Sequence, residues 1–389
     1  MSVLGIVAEY DPLHNGHLHH LQASVSALSP SAVLAVISGP FRQRGNLALL
    51  SPFSRAECAL AAGVDAVFAL PVLWTLRDAE HYALGAVSLL SSLGATHIAF
   101  GAETADFALL SKTAELLENP PDTMREALHT ALSGGTGYPA ALAEAAGVCS
   151  CECGEILHHP NNILAVCYLR AIHRLSLSIS PIVIPRSGAY HSDRIIPEAP
   201  SASAVADSLC RGAWPQALDA LPPFTGRVIR RDFLSGIIPD SGKLDVLLLE
   251  KLRSISKEEA ACLPDCTEGL DAALIRAASC TDSRNELIAL LTTRRYSSAR
   301  ISRLCACALL GITKNTLDKA SLPKNALLLA MKKNPSLTGS WKNSSVQLMT
   351  AAKWLKSADP AEAAAWRVWS LCCGKPSAWP FEKKLITDC

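Results

Sequence analysis

The sequence contains no apolar run approaching the roughly 18 residues that a membrane-spanning helix needs. Its richest stretch, Ala59 to Trp74, is broken by Asp65 and Pro71. The opening, MSVLGIVAEYDPLH, has neither the basic start nor the long apolar segment of a secretory signal peptide, so a cytoplasmic protein is expected. Net charge is nearly absent: 36 Lys and Arg against 35 Asp and Glu leave +1, with a pI near 7.5. That balance excludes a wholesale polycation, so any nucleic-acid partner has to meet a local basic surface. No internal repeat is present. The 14 cysteines are scattered along a chain without an export signal, which favours reduced, often buried thiols over a disulfide framework.

What is present is material for a sizeable core. Of 389 residues, 49% are hydrophobic, and the length suits two or three domains. The first part of the chain alternates short apolar runs with amphipathic ones. Val3 to Ala8, Ala32 to Ile37, Ala66 to Leu70 and His97 to Phe100 read as strands. Gly16 to Leu28, Ser54 to Ala62 and Ala79 to Leu93 read as helices between and beside them. This β-α-β-α order predicts parallel strands joined by right-handed crossovers, an α/β doubly wound sheet. Asn161 to Leu175 continues as a helix and Ile179 to Ile184 as a strand, before a polar loop from Ser187 to Pro200. Beyond Gly212 strand signals are few. Leu244 to Leu252, Gly269 to Ala278, Arg284 to Leu291, Ser298 to Leu310 and Lys324 to Met331 all read as helical. The expected division is therefore a nucleotide-binding domain over 1–212 and a mostly helical domain over 213–389.

The chemistry concentrates just past the first strand, in Gly5-Ile6-Val7-Ala8-Glu9-Tyr10-Asp11-Pro12-Leu13-His14-Asn15-Gly16-His17. Ligands of open α/β sheets bind beyond the carboxyl ends of the strands. A helix starting there offers free N–H groups and a dipole that favours phosphate. Gly16 lets the backbone approach a ligand closely. His14 and His17 lie on one face of the helix start, so both rings can meet one phosphate, as cations or as N–H donors. A His-rich turn without function is the plain alternative, since His19 and His20 follow. A zinc site lacks ligands, because His-x-x-His supplies only two.

The strand followed by His14-Asn15-Gly16-His17 resembles the His-x-Gly-His signature of the nucleotidyltransferase superfamily. More narrowly, the chain resembles the tRNA(Met) cytidine acetate ligase family. The match continues through Phe41-Arg42-Gln43-Arg44-Gly45, Ser54-Arg55-Ala56-Glu57, Gly63-Val64-Asp65, Leu70-Pro71 and Phe100-Gly101-Ala102-Glu103. It runs on through Pro160-Asn161-Asn162-Ile163-Leu164, Arg186, Tyr190-His191, Arg295-Tyr296, Arg300-Ile301 and Leu310-Gly311-Ile312-Thr313. It fades after about residue 333. The resemblance implies a Rossmann-like fold and an enzyme that forms acetyl-adenylate from ATP and acetate, releasing pyrophosphate. The acetyl group then passes to N4 of the wobble cytidine of elongator tRNA(Met). By position, Val7, Ala8, Glu9, Tyr10, Asp11, His14, Asn15, Gly16, His17, Gly101, Asn161 and Arg186 would line the ATP site. His14 and His17 would be the catalytic pair, and Mg²⁺ is expected to enter with ATP.

The chain departs from the family pattern in three places. Asp11 stands where the family usually has Asn, Pro40 replaces another Asn, and Ala206 occupies the position of an Arg that grips the triphosphate. Arg42 and Arg44 could contact phosphates of ATP or RNA. Arg294, Arg295, Arg300 and Arg303, with Tyr296 for stacking, form a candidate tRNA surface, followed by Lys324, Lys332 and Lys333. Cys149, Cys151 and Cys153 alternate, rather than showing the two-residue gap that suits tetrahedral metal, and as a strand they would share a face. Two rival readings stay open at this point. One is a small-molecule adenylyltransferase, and the other a non-catalytic RNA-binding relative.

Overall fold

The computed structural model describes residues 2–186, 201–333, 341, 344–351, 353–354 and 358–376, with the backbone of 386–387. The loop carrying Tyr190 and His191 lies outside the described residues. Five strands form the expected parallel sheet: β1 (Val3–Ala8), β2 (Ala32–Ser38), β3 (Ala66–Leu70), β4 (His97–Ala102) and β5 (Ser180–Pro185). They lie side by side in the order β5-β4-β1-β2-β3. The chain thus winds one way from β1 to β3 and then crosses back to place β4 on the other side of β1. The crevice above the carboxyl ends of β1 and β4 is the topological switch point, where such sheets bind ligands.

Alternation within the strands feeds two cores. Leu34, Val36, Phe68 and Leu70 face one side, toward the helices Ala79–Ser92 and Pro160–Arg174. Leu4, Ile6, Val33, Ala35, Ile37 and Val67 face the other, toward α1 (Asn15–Leu28) and α2 (Pro52–Ala62). Between Ala202 and Asp318 the chain is helical apart from turns, and Leu248, Leu252, Leu274, Leu287, Ile301 and Cys305 make a separate apolar cluster there.

Lys324 to Met331 is not a helix. Asn325–Met331 is a strand, β6, antiparallel to β3, and β7 (Gln347–Met349) and β8 (Ile386–Thr387) pair with it. The sheet therefore draws three strands from beyond residue 212. Ala326 and Leu328 enter one core while Leu327, Leu329 and Ala330 enter the other. A strand covered on both faces is continuously apolar, and periodicity cannot separate it from a buried helix.

The final helix, Pro360–Cys372, packs near the end of β2. Trp369 donates its indole N–H to the Ala48 carbonyl at 2.9 Å, and the buried Glu362 accepts from Val72 N–H at 2.7 Å and from the Trp366 indole at 3.1 Å. Among the described residues no helix is long and apolar enough to cross a membrane.

Candidate nucleotide site at the first strand–helix turn

α1 begins at the switch point with a reciprocal cap made of histidines. His14 is the N-cap: its Nδ1 accepts the His17 N–H at 3.3 Å, and His17 Nδ1 accepts the His14 N–H at 3.3 Å. The two rings stack with centroids 3.7 Å apart. Because each Nδ1 accepts, each neutral ring carries its proton on Nε2, which is left to donate. Burial pushes the His14 pKa down to about 3, helped by the nearby Arg186 guanidinium. Burial likewise holds His17 well below its ordinary value, with His14, Arg186 and His20 adding to the effect. Of the two roles open to this pair, neutral N–H donor is the one the free site supports. A side chain at Gly16 would bring its Cβ to 3.1 Å from the His14 ring, so glycine keeps the cap geometry as well as the space above it.

The loop before α1 is fixed from inside. Tyr10 adopts φ 51° and sets its buried ring edge-on to His17 at 5.2 Å, with its hydroxyl unpartnered among the described residues. Asp11 is fully buried, and its two oxygens accept the N–H groups of Leu49 and Leu50 at 2.9 Å each. Arg42 Nε stands 3.5 Å from the same carboxylate. Asp11 thus directs its charge toward the loop after β2. The Glu9 carboxylate accepts the Gln43 N–H at 2.7 Å. Asn15 is also engaged: its backbone N–H bonds the Ala220 carbonyl at 2.9 Å and its amide the Asp219 carbonyl at 3.2 Å. Arg55, fully buried, gives its guanidinium to the carbonyls of Glu9, Ser38 and Gly39 and to the Ser38 hydroxyl.

On the β4–β5 side the polar groups form one chain. Glu103 caps the helix Pro160–Arg174, accepting from Asn162 N–H at 2.9 Å and from the Asn161 amide at 2.5 Å. Fixed in this way, Asn161 turns its amide oxygen to Arg186, 3.4 Å away. A Cβ on Gly101 would rest 3.7 Å from His20 and 3.9 Å from Arg186, so these three meet at the end of β4. His20 joins this cluster, a place that the His-rich turn alone does not mark. Burial and Arg186 lower its pKa to about 4, and its Nε2 is buried without a partner among the described residues. Its spacing of one helical turn from His17 was the available signal, whereas His19 is exposed.

The arginines of the candidate RNA surface divide. Arg294 and Arg295 are exposed, with Arg295 paired to Glu268 at 2.7 Å. Arg300 stacks on Tyr296 and donates to the Asp265 carbonyl at 2.8 Å, and Arg303 is half-buried. Arg44 is exposed. Gly45 beside it has φ 80° and packs so closely on the helix Ser298–Leu310 that a Cβ would lie 2.6 Å from the Ser302–Arg303 backbone. Ser302 donates its hydroxyl to the Arg44 carbonyl at 2.6 Å, and Arg284 donates to Asn46 at 2.9 Å. Cys149 and Cys151 are exposed on two successive helices rather than on one strand face, and Cys153 is buried. Among the described residues no group of three His, Cys, Asp or Glu could hold a metal.

A doubly wound sheet with a His-x-Gly-His cap at its switch point defines a nucleotidyltransferase, and the family model for HIGH Nucleotidyl Transferase matches residues 1–372. The chain is 36% identical over 328 residues to the tRNA(Met) cytidine acetate ligase of Syntrophomonas wolfei, covering 82% of this chain and 78% of that one. It is 38% identical over 330 residues to the enzyme of the same name from Caldanaerobacter subterraneus, covering 83% and 81%. The crystal structure of Thermotoga maritima TmcAL bound with alpha-thio ATP superposes over the full length of both chains, with a TM-score of 0.90 at 25% identity. The chain belongs to the tRNA(Met) cytidine acetate ligase family and is an enzyme.

Proposed function

We propose that this enzyme activates acetate with ATP and transfers the acetyl group to N4 of the wobble cytidine of elongator tRNA(Met). The observation that carries the reading is the paired histidine cap at the start of α1, whose two stacked rings each keep a proton on Nε2. In the first step an acetate oxygen attacks the α-phosphorus, the bond to pyrophosphate breaks, and acetyl-adenylate forms. Charge grows on the α-phosphoryl oxygens and on the departing pyrophosphate. Neutral N–H donors aimed there stabilise the transition state without needing a protonated ring. In the second step the cytidine N4 attacks the acetyl carbon, AMP leaves, and the amine loses a proton.

Val7 to His17, Gly101, Asn161 and Arg186 would line the nucleotide site. Within that loop Asp11 and Asn15 act by holding its shape, since their side chains are committed to Leu49, Leu50 and Asp219. Mg²⁺ would travel with the triphosphate, keep several waters, and need no protein cage. The residues beyond Gly212, together with the exposed Arg44 on the loop after β2, would carry the tRNA, with Arg294 and Arg295 exposed and Arg300 and Arg303 shaping the surface behind them. Such a reaction on tRNA would take place in the cytoplasm. The test is nucleoside analysis of elongator tRNA(Met) after incubation with the protein, ATP, Mg²⁺ and acetate. N4-acetylcytidine at the wobble position is expected, and its absence while ATP is consumed overturns the reading.

A further inference from the structure

The two flanks of the crevice hold cations differently. On the β4–β5 flank Arg186 stands with Gly101 and Asn161, beside the three histidines that burial keeps neutral. On the proposed reading, with the α-phosphate at the start of α1 and the nucleoside toward Gly101, the outer phosphates would extend toward the opposite, β2 flank. A triphosphate brings several negative charges there, and its recognition calls for guanidinium groups with free donors. Three described arginines stand on or beside the loop after β2: Arg44 is exposed where the loop docks on the helix Ser298–Leu310, and Arg55 has its terminal groups spent on the carbonyls of Glu9, Ser38 and Gly39. The third, Arg42, can serve.

Arg42 sits on the loop after β2 with its side chain 17% exposed, against a carboxylate of Asp11 that is wholly buried. Its Nε is buried and makes no hydrogen bond, and its terminal amino groups form none to the described residues. Asp11 is itself locked to Leu49 and Leu50, so it fixes where the guanidinium lies. Leu49 and Leu50 also pack against Val205, Ala206 and Leu209 of the helix Ala202–Cys210, and Cys210 on that helix senses the charges of both Asp11 and Arg42. Ala206 and the Asp11–Arg42 pair are thus neighbours across one small apolar cluster. Two of the three departures from the family pattern border the same Leu49–Leu50 segment.

We propose that Arg42, positioned by Asp11, supplies the cation that grips the outer phosphates of ATP, taking over from the position now occupied by Ala206. This rests on the ATP-dependent reading above and names the residue that binds the leaving pyrophosphate. Asp11 is a positioning residue here and Arg42 a phosphate-binding one. An aspartate at position 11, where the family usually has asparagine, gives the relocated guanidinium a fixed partner at the floor of the site.

The test compares ATP with AMP, which lacks the outer phosphates. Removing Arg42 alone would strand a buried carboxylate, so the informative variant is the double substitution Asp11→Asn with Arg42→Met. Binding of Mg²⁺-ATP and of AMP is measured by calorimetry on the full chain. The double variant is expected to lose roughly 10- to 100-fold in ATP affinity, the scale of one charge-assisted phosphate contact, while AMP affinity stays within about twofold. Adding Ala206→Arg to the double variant is expected to recover part of the ATP affinity. In the otherwise native chain Ala206→Arg gives no gain, because Arg42 already holds the phosphates. Unchanged ATP affinity in the double variant overturns the proposal, and so does an equal loss for ATP and AMP, which marks a structural role. If the double variant does not fold, Arg42→Lys is read instead: it keeps a charge but loses the fork. A selective fall in ATP affinity then supports the proposal, and none overturns it. A native chain that binds neither nucleotide removes the ATP reading itself, an outcome separate from failure of this residue assignment.

Discussion

The β4–β5 flank and the β2 flank of the crevice are built from the same kinds of residue and do different things. On the first, Glu103, Asn161 and Arg186 hydrogen-bond one another in a short chain whose far end faces the crevice. On the second, Glu9 and Asp11 accept N–H groups of Gln43, Leu49 and Leu50 on the loop after β2, and that loop in turn lies on the helix Ser298–Leu310 and on Trp369 of the helix Pro360–Cys372. One flank is a hydrogen-bonded chain held from its own side. The other is a joint between the first strand–helix turn and the C-terminal helices. The lesson is that buried charge near an active site need not face the substrate, since Asp11 and Arg55 organise backbone.

The largest expected effect lies where the flanks meet. On the proposed role of the histidine pair, His17→Ala should lower acetyl-adenylate formation by a factor on the order of 100 to 1,000, as for loss of one oxyanion donor. Its circular dichroism should stay native. Near-native activity in this variant would take the pair out of the mechanism. The joint is broken most directly by Gly45→Ala. The left-handed φ and the 2.6 Å approach to the Ser302–Arg303 backbone leave no room for a Cβ. A loss of about 1–3 kcal/mol in unfolding free energy is expected, with acetyl transfer falling more than adenylate formation. An unchanged denaturant midpoint would show that the loop does not depend on this docking.

The β4–β5 flank is sharpened by Glu103→Ala. Freed from its carboxylate, Asn161 no longer presents its oxygen to Arg186, and the KM for ATP should rise by roughly 10-fold, about the value of one charged hydrogen bond. The turnover number should move little, and a fall in turnover at constant KM would contradict a positioning role. Neutralising Arg294 and Arg295 acts on the far side of the joint. Each lost phosphate contact should flatten the log–log salt dependence of tRNA affinity by about one unit or slightly less, while adenylate formation persists. A salt slope that stays unchanged would place RNA elsewhere.

The smallest effect is electrostatic. His14 and His20 have folded pKa values of about 3 and about 4, below the 6.5 of a free imidazole. The unfolded chain therefore binds protons that the folded chain refuses. Their contribution is fully present above pH 6.5 and is lost as pH falls toward the folded values. His20→Asn should make the acid loss of stability shallower in chemical denaturation series. An identical slope would mean that His20 is solvated.

Legibility in the sequence followed the range of the contacts. The strand–turn–helix at Val3 to Leu28 is local, and its periodicity, glycine and histidine spacing define it without tertiary information. The five parallel strands were legible for the same reason. Asp11 reads as a carboxylate facing a polyanion until Leu49 and Leu50 are seen to claim it. His20 reads as ornament until Gly101 and Arg186 close over it. Asn325–Met331 reads as a helix because both faces of the strand are buried. In each case the deciding partner is remote in sequence, and composition carries no trace of it.

The division of labour between crevice and C-terminal helices is tested most directly by acetate-dependent exchange of labelled pyrophosphate into ATP, measured with and without tRNA. The account predicts exchange in the absence of tRNA, because every group assigned to the adenylation step lies on the sheet's own turns and helix ends. Exchange that requires tRNA, or no exchange when acetate and Mg²⁺-ATP are both present, would contradict it.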